Sequence, residues 1–143
     1  MCSSDLGGLS GEHARRFVES VGHPNVRYLF DIGNTASYGQ ETMPFYRAVL
    51  PFVEYVHIKD CRRNPAGGKS SAFTYAGEGD ALVREILTDL IARGYEAGVS
   101  IEPHVASIVH LGDGTKASPQ ERFDSYVRYG RGLEKLLAEI AAP

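Results

Sequence analysis

Apolar positions along this chain follow two spacings, one suited to short buried strands and the other to amphipathic helices. Residues 26–32, 54–59 and 99–103 read as strands. Around them the apolar residues recur at helical spacing. The first helix has Ser10 as its N-cap and Phe17, Val18 and Val21 on its inner face, and Gly22, His23 and Pro24 end it. After a polar stretch, a second helix begins near Thr42 with Pro44 in its first turn, where a missing N–H costs nothing, and Pro51 ends or kinks it. The third is the clearest: Asp80 is placed to cap it, Leu82, Val83, Ile86, Leu87, Leu90 and Ile91 form one apolar stripe, and Gly94 closes it. The last opens on the capping box Ser118-Pro119-Gln120-Glu121 and carries Phe123, Tyr126, Val127, Leu133, Leu136 and Leu137 inward. Two segments show neither period. One is residues 61–79, rich in Gly and Ser and of a length usual for binding loops and lids; the other runs irregularly through Gly112 and Gly114.

Strict alternation of helix and strand implies right-handed crossovers and an α/β fold with a parallel sheet covered by helices. Three of the apolar runs then end in a side chain able to bind a metal: Asp31 after residues 26–30, His57 after residues 55–56, and Glu102 after residues 99–101. Parallel strands place their C-terminal ends on one rim, so these side chains share that rim. A core would need only apolar residues there. Two carboxylates and an imidazole form a hard to borderline donor set, suited to a labile divalent cation and not to a closed structural zinc site.

Composition narrows the class. The chain has 143 residues, 43% apolar and 23% charged, which is enough for one ordinary folded domain. No apolar run approaches the roughly 20 residues of a membrane span, and the N-terminus lacks the basic and apolar regions of a signal peptide. A cytoplasmic protein without membrane partners is the expectation. The net charge of −3, with Lys and Arg scattered, gives no footprint for nucleic acid. Cys2 and Cys61 make neither a disulfide framework nor a CxxC pair. Residues 1–6 lead into the first helix without a strand and resemble translated sequencing-adapter DNA. They are expected to be a non-native leader, with residues 7–143 as the domain proper.

Asp31-Ile32-Gly33-Asn34, His57-Ile58-Lys59-Asp60, Gly77-Glu78-Gly79 and Ser100-Ile101-Glu102-Pro103-His104 occur in the order and spacing of a known family. The chain resembles the C-terminal half of the sugar phosphate isomerase/epimerase family, over about residues 7–137. The resemblance implies a partial TIM barrel of the xylose isomerase-like kind, comprising about the last three strand-helix units plus one preceding helix. It implies a divalent metal, Mn2+, Co2+ or Mg2+, held by Asp31, His57 and Glu102, with a fourth ligand, a glutamate, on a preceding strand upstream of Leu6. It also implies a small sugar or sugar phosphate substrate, whose carbonyl the metal would polarise so that a neighbouring C–H becomes acidic. Glu102 would be one of two glutamates that remove and return the proton. Arg63, six residues after His57, matches an arginine that binds substrate oxygens, and His104 lines the pocket or orients Glu102. Asn34, also a candidate substrate contact, stands where the ketose epimerases carry a histidine, which points away from a ketose substrate. Lys59 and Asp60 are expected just behind the ligands.

Blander readings stand beside these. Asp31 could be a turn or cap residue before Gly33, His57 a core histidine, and Lys59 and Asp60 solvating groups at a strand end. Cys61 and His110 read most simply as structural. Three alternatives to an isomerase also remain. One is an inosose dehydratase-like lyase using the same site. Another is an endonuclease IV-like hydrolase, disfavoured by Asn34 and by the acidic balance. The third is a non-catalytic half-barrel remnant or assembly-dependent fragment, including a homo-oligomer, because three strands leave sheet edges unpaired. On that count the isolated chain is expected to be unstable or self-associating, to bind Mn2+ weakly and to turn over little.

Overall fold

The computed structural model describes residues 9–70, 72–105 and 117–142. The proposed leader, His110 and the segment with Gly112 and Gly114 lie outside the described residues.

Helix α1 (Gly11–Val21) starts at Ser10, whose hydroxyl accepts from the His13 N–H, and stops at Gly22 in the left-handed conformation. Its buried side is Ala14 and Val18, while Phe17 and Val21 are exposed, contrary to the periodicity reading. The reason is close approach to α3 (Thr42–Val49). A Cβ on Gly11 would sit 2.8 Å from the Phe45 Cα, so small residues of α1 must face that helix.

Strand β1 (Tyr28–Asp31) runs directly into a short helix, α2 (Ile32–Ser37), where the sequence suggested only a polar stretch. After α3, Pro51 sits in a single turn of 3-10 helix, Leu50–Phe52, which leads into β2 (Val53–Ile58). Residues 61–79 are not structureless: β3 (Asp60–Cys61) and β4 (Phe73–Thr74) pair as a small antiparallel ladder. Helix α4 (Val83–Ala92) buries Val83, Ile86, Leu87 and Leu90 but leaves Ile91 exposed. Asp80 does not cap it. Leu82 does so through its backbone, at φ 63°, and its carbonyl accepts from the Ile86 N–H. A leucine in the left-handed region carries about 1 kcal/mol of strain.

Strand β5 (Gly98–Ile101) completes a parallel sheet of order β1-β2-β5. On one face Phe30, Val56 and Ile58 meet the helices, and Phe30 stacks on Phe45 at 6.2 Å. The Tyr46 hydroxyl donates to Asp89 at 2.7 Å and so ties α3 to α4. Helix α5 (Pro119–Ala141) begins with the full capping box and buries Ser125, Tyr129, Leu133 and Leu136. Its spacing of i, i+4, i+7 through Tyr129 and Leu136 is the stripe that packs inward. Phe123 and Tyr126 are 63% and 51% exposed and Val127 is also exposed, because they lie on an arc that no described element covers. Among the described residues no helix is long and apolar enough to cross a membrane.

Candidate metal centre

Strand pleat and register together explain why three distant side chains converge. Asp31 of β1 is the direct partner of His57 of β2, and His57 is the partner of Ser100 of β5. Side chains two residues apart share a sheet face, so Glu102 stands on the His57 side one step beyond Ser100. Its own N–H still bonds to the Ile58 carbonyl at 3.0 Å, which holds it to the strand end. One ligand atom from each of Asp31, His57 and Glu102 lies within 4.8 Å of the others. That is close to the span of about 4 Å between opposite ligands of one ion at bond lengths of about 2.1 Å. The donor set fits a hard or borderline divalent cation, and a carboxylate at a buried strand end requires a positive partner.

Asp31 also caps α2, where its Oδ1 accepts from the Asn34 N–H at 3.2 Å. The cap reading and the ligand reading therefore describe the same residue. Burial pushes the Asp31 carboxyl up to about 6, against the opposing pull of Lys59. Glu102 moves the other way. The hydrogen bond from His104 (3.2 Å to Oε1), with help from Lys59 and from His57 (Nδ1 2.8 Å from Oε2), holds it well below the usual carboxylate range. Two carboxylates a few ångströms apart thus have opposite proton affinities, set by burial at one and by donors at the other.

Lys59, 4% exposed, lies among these groups. Its Nζ is 2.8 Å from Asp31 Oδ2, 3.3 Å from Glu102 Oε1 and 3.0 Å from Asn34 Oδ1. Burial alone would lower its pKa, but the two carboxylates outweigh that and raise it. Asn34 is thus turned to Lys59. Asp60 points to the opposite side of the strand and is 1% exposed, with its carboxylate accepting from the N–H groups of Cys61, Gly77, Gly79 and Ala81. It anchors the Gly77-Glu78-Gly79 turn.

Arg63 is turned to the α2-α3 connection, where Nη2 donates to the Gln40 carbonyl at 2.7 Å and Nη1 lies 3.7 Å from Glu41. Its backbone N–H donates to Asp80, which explains why Asp80 is drawn away from α4. His104 packs against Phe73, with ring centroids 4.9 Å apart and the ring planes tilted by 45°. Phe73 is a supporting residue that sequence reasoning missed. An aromatic inside a Gly- and Ser-rich loop was its one signal. Cys61 is buried beside the Gly33 carbonyl, and burial pushes its thiol up to about 12, which makes it inert packing.

Known proteins share this fold. The profile of the xylose isomerase-like TIM barrel family matches residues 2–122. Inosose dehydratases of Bacillus anthracis and of Bacillus thuringiensis subsp. konkukian are 28% identical over 89 residues, 54% of this chain. The match spans 30% of those relatives' length. A xylose isomerase domain protein from Planctomyces limnophilus superimposes with a TM-score of 0.70 at 25% identity, over 94% of this chain and 44% of that one. The IOLI protein, solved with a zinc atom, gives a TM-score of 0.64 at 17% identity, over 92% of this chain and 45% of that one. The chain is therefore a partial α/β barrel spanning under half the length of these full barrels, and it belongs to the xylose isomerase-like TIM barrel family.

Proposed function

We propose that this chain carries the metal-binding rim of a divalent-metal-dependent isomerase or epimerase. Its substrate would be a small sugar or sugar phosphate, and its chemistry proton removal from the carbon next to a carbonyl. The observation that carries this reading is the convergence of Asp31, His57 and Glu102 on adjacent parallel strand ends. A divalent cation held by these residues supplies Lewis-acid polarisation of the carbonyl. Glu102 is the residue that takes the proton. It stays ionised at neutral pH because His104, Lys59 and His57 all face it. His104 keeps the Glu102 carboxylate oriented, with its Nε2 3.2 Å from Oε1. Asn34 and Arg63 serve as substrate contacts by exchanging their present partners, Lys59 and the Gln40 carbonyl, for sugar oxygens.

A lyase reading is the second. The inosose dehydratases among the relatives favour it, as does Asn34 in a place where ketose epimerases carry a histidine. Both readings share the first proton transfer and differ in the step after it. The test is incubation of the Mn2+-loaded chain in D2O with a ketose and, separately, with a keto-inositol. Deuterium at the carbon next to the carbonyl with all hydroxyls retained supports the isomerase. Loss of water from the keto-inositol supports the lyase. Mn2+ binding with neither product favours the third reading, a non-catalytic or assembly-dependent half barrel.

The opposed proton affinities give a pH dependence with a definite sign. Metal and proton compete for Asp31, whose carboxyl titrates near 6, whereas Glu102 is already ionised there. Mn2+ affinity is expected to fall at least tenfold per unit below about pH 6, because His57 must also be neutral to bind the ion. Mn2+ titration followed by electron paramagnetic resonance (EPR) at pH 5, 6, 7 and 8 checks it. An affinity flat down to pH 5 would remove Asp31 from the ligand set.

A further inference from the structure

We infer that Lys59 is a built-in cation of the metal site: it neutralises Asp31 and Glu102 in the metal-free chain, and it weakens metal binding by competing for those two carboxylates. The inference rests on the metal reading proposed above. It goes beyond it by assigning Lys59 a role opposed to that of a residue that merely orients ligands.

Lys59 follows His57 by two positions and so leaves the sheet on the same face. The bare Cα of Gly33 makes room for its stem, since a Cβ there would lie 2.7 Å from the Lys59 Cβ and Cγ. At its tip, the three ammonium protons meet three acceptors: Asp31 Oδ2 at 2.8 Å, Asn34 Oδ1 at 3.0 Å and Glu102 Oε1 at 3.3 Å. A buried ammonium needs pairing, and one carboxylate would suffice for an ordinary ion pair. Lys59 takes two, and both belong to the candidate ligand set. The other oxygen of Asp31 accepts from the Asn34 N–H, and the other oxygen of Glu102 faces His57. Each carboxylate oxygen of the set therefore already has a partner, and the ammonium holds one oxygen of each carboxylate, so an incoming cation meets its positive charge at both. One ammonium against two carboxylates also leaves a single uncompensated negative charge, so a divalent cation meets half the attraction the carboxylates alone would exert.

The two roles for Lys59 predict opposite signs. If it only orients Asp31 and Glu102, neutralising it should weaken the metal by 10-fold to 100-fold, as loss of supporting hydrogen bonds does elsewhere. If it competes, neutralising it should strengthen binding. The experiment compares the wild-type chain with Lys59→Met and with Lys59→Gln, which keeps a hydrogen-bonding tip without the charge. Each is titrated with Mn2+ by EPR and melted, followed by circular dichroism, with and without Mn2+. We expect both variants to bind Mn2+ at least tenfold more tightly than wild type. In metal-free buffer they should melt at lower temperature, and Mn2+ should raise their Tm more than it raises that of wild type. Equal or weaker binding by the variants, with wild-type binding intact, overturns this inference and leaves the metal reading standing. Absence of Mn2+ binding by every chain overturns the metal reading, and this one with it. A neutral variant that folds only when Mn2+ is present is the extreme form of the expected result. One that stays unfolded at saturating Mn2+ overturns it.

Discussion

Asp60→Ala is expected to cost about 4 kcal/mol of folding stability, although Asp60 is outside the metal cluster. Its two oxygens each accept from two backbone N–H groups: Oδ2 from Gly77 and Gly79, both at 2.9 Å, and Oδ1 from Cys61 at 2.9 Å and Ala81 at 3.1 Å. One carboxylate thus ties the start of the 61–79 segment to its return. Removing it takes the acceptor from four amide donors, those of Cys61 and Ala81 buried and those of Gly77 and Gly79 part-buried, at about 1 kcal/mol for each donor. Gly79 has no room for a side chain in the native packing, because a Cβ would overlap the Asp60 carboxylate and lie 2.6 Å from the Cys61 carbonyl oxygen. Asp60→Asn keeps one acceptor but turns an NH2 toward two donors, and should cost about half as much. Urea unfolding followed by circular dichroism measures both. A loss under about 1 kcal/mol for Asp60→Ala would show that water or a shifted backbone satisfies these amides. Faster amide exchange at Gly77, Gly79 and Ala81 is the local signature expected.

That loop shows what a sequence can and cannot disclose. The pairing of Asp31, His57 and Glu102 was legible because strand parity is a rule of two, and parallel register does the rest. Ser10 and Ser118 were legible as caps because the capping hydrogen bond is local. Asp80 looked like such a cap, but the Arg63 N–H and the Arg62 guanidinium, 17 and 18 residues back, engage its carboxylate instead. No local pattern carries that information. Helix α2 was missed because Gly33, Asn34, Thr35 and Ser37 are poor helix formers. It forms because Asp31 caps it and because Thr35 bonds both to the Ile32 carbonyl and to Thr42.

Orientation of the longer helices was the other loss. Periodicity shows that an apolar arc exists and not which flank of a wide arc is covered. In α5 the deeper stripe is Tyr129, Leu133 and Leu136, and Phe123 and Tyr126 lie outside it. In α1 the Gly11 contact with Phe45 decides the face, so that Ala14 and not Phe17 points inward. The partial barrel also explains why Tyr55 is partly exposed. It lies on the His57 face of β2, edge-on to the His57 ring, on a side that no described strand or helix buries fully.

Asp31→Ala should abolish Mn2+ binding, lowering affinity at least a hundredfold, and also cost about 3 kcal/mol of stability, for two separable reasons. The first is chemical: one of three ligands is gone, and the remaining His57 and Glu102 already bond to each other. The second is electrostatic. Lys59 stays buried with only the longer contact to Glu102 and the amide of Asn34, and α2 loses its cap as well. The double variant Asp31→Ala with Lys59→Met separates the two, because removing the stranded ammonium should return about 2 kcal/mol of stability without restoring any metal binding. The cycle is read from urea unfolding of the four chains and Mn2+ titration of each. Additive stability losses would mean that Asp31 and Lys59 do not form an energetic pair. Mn2+ binding that survives in Asp31→Ala would mean that the rim holds its cation through His57, Glu102 and groups other than the carboxylate that ends β1.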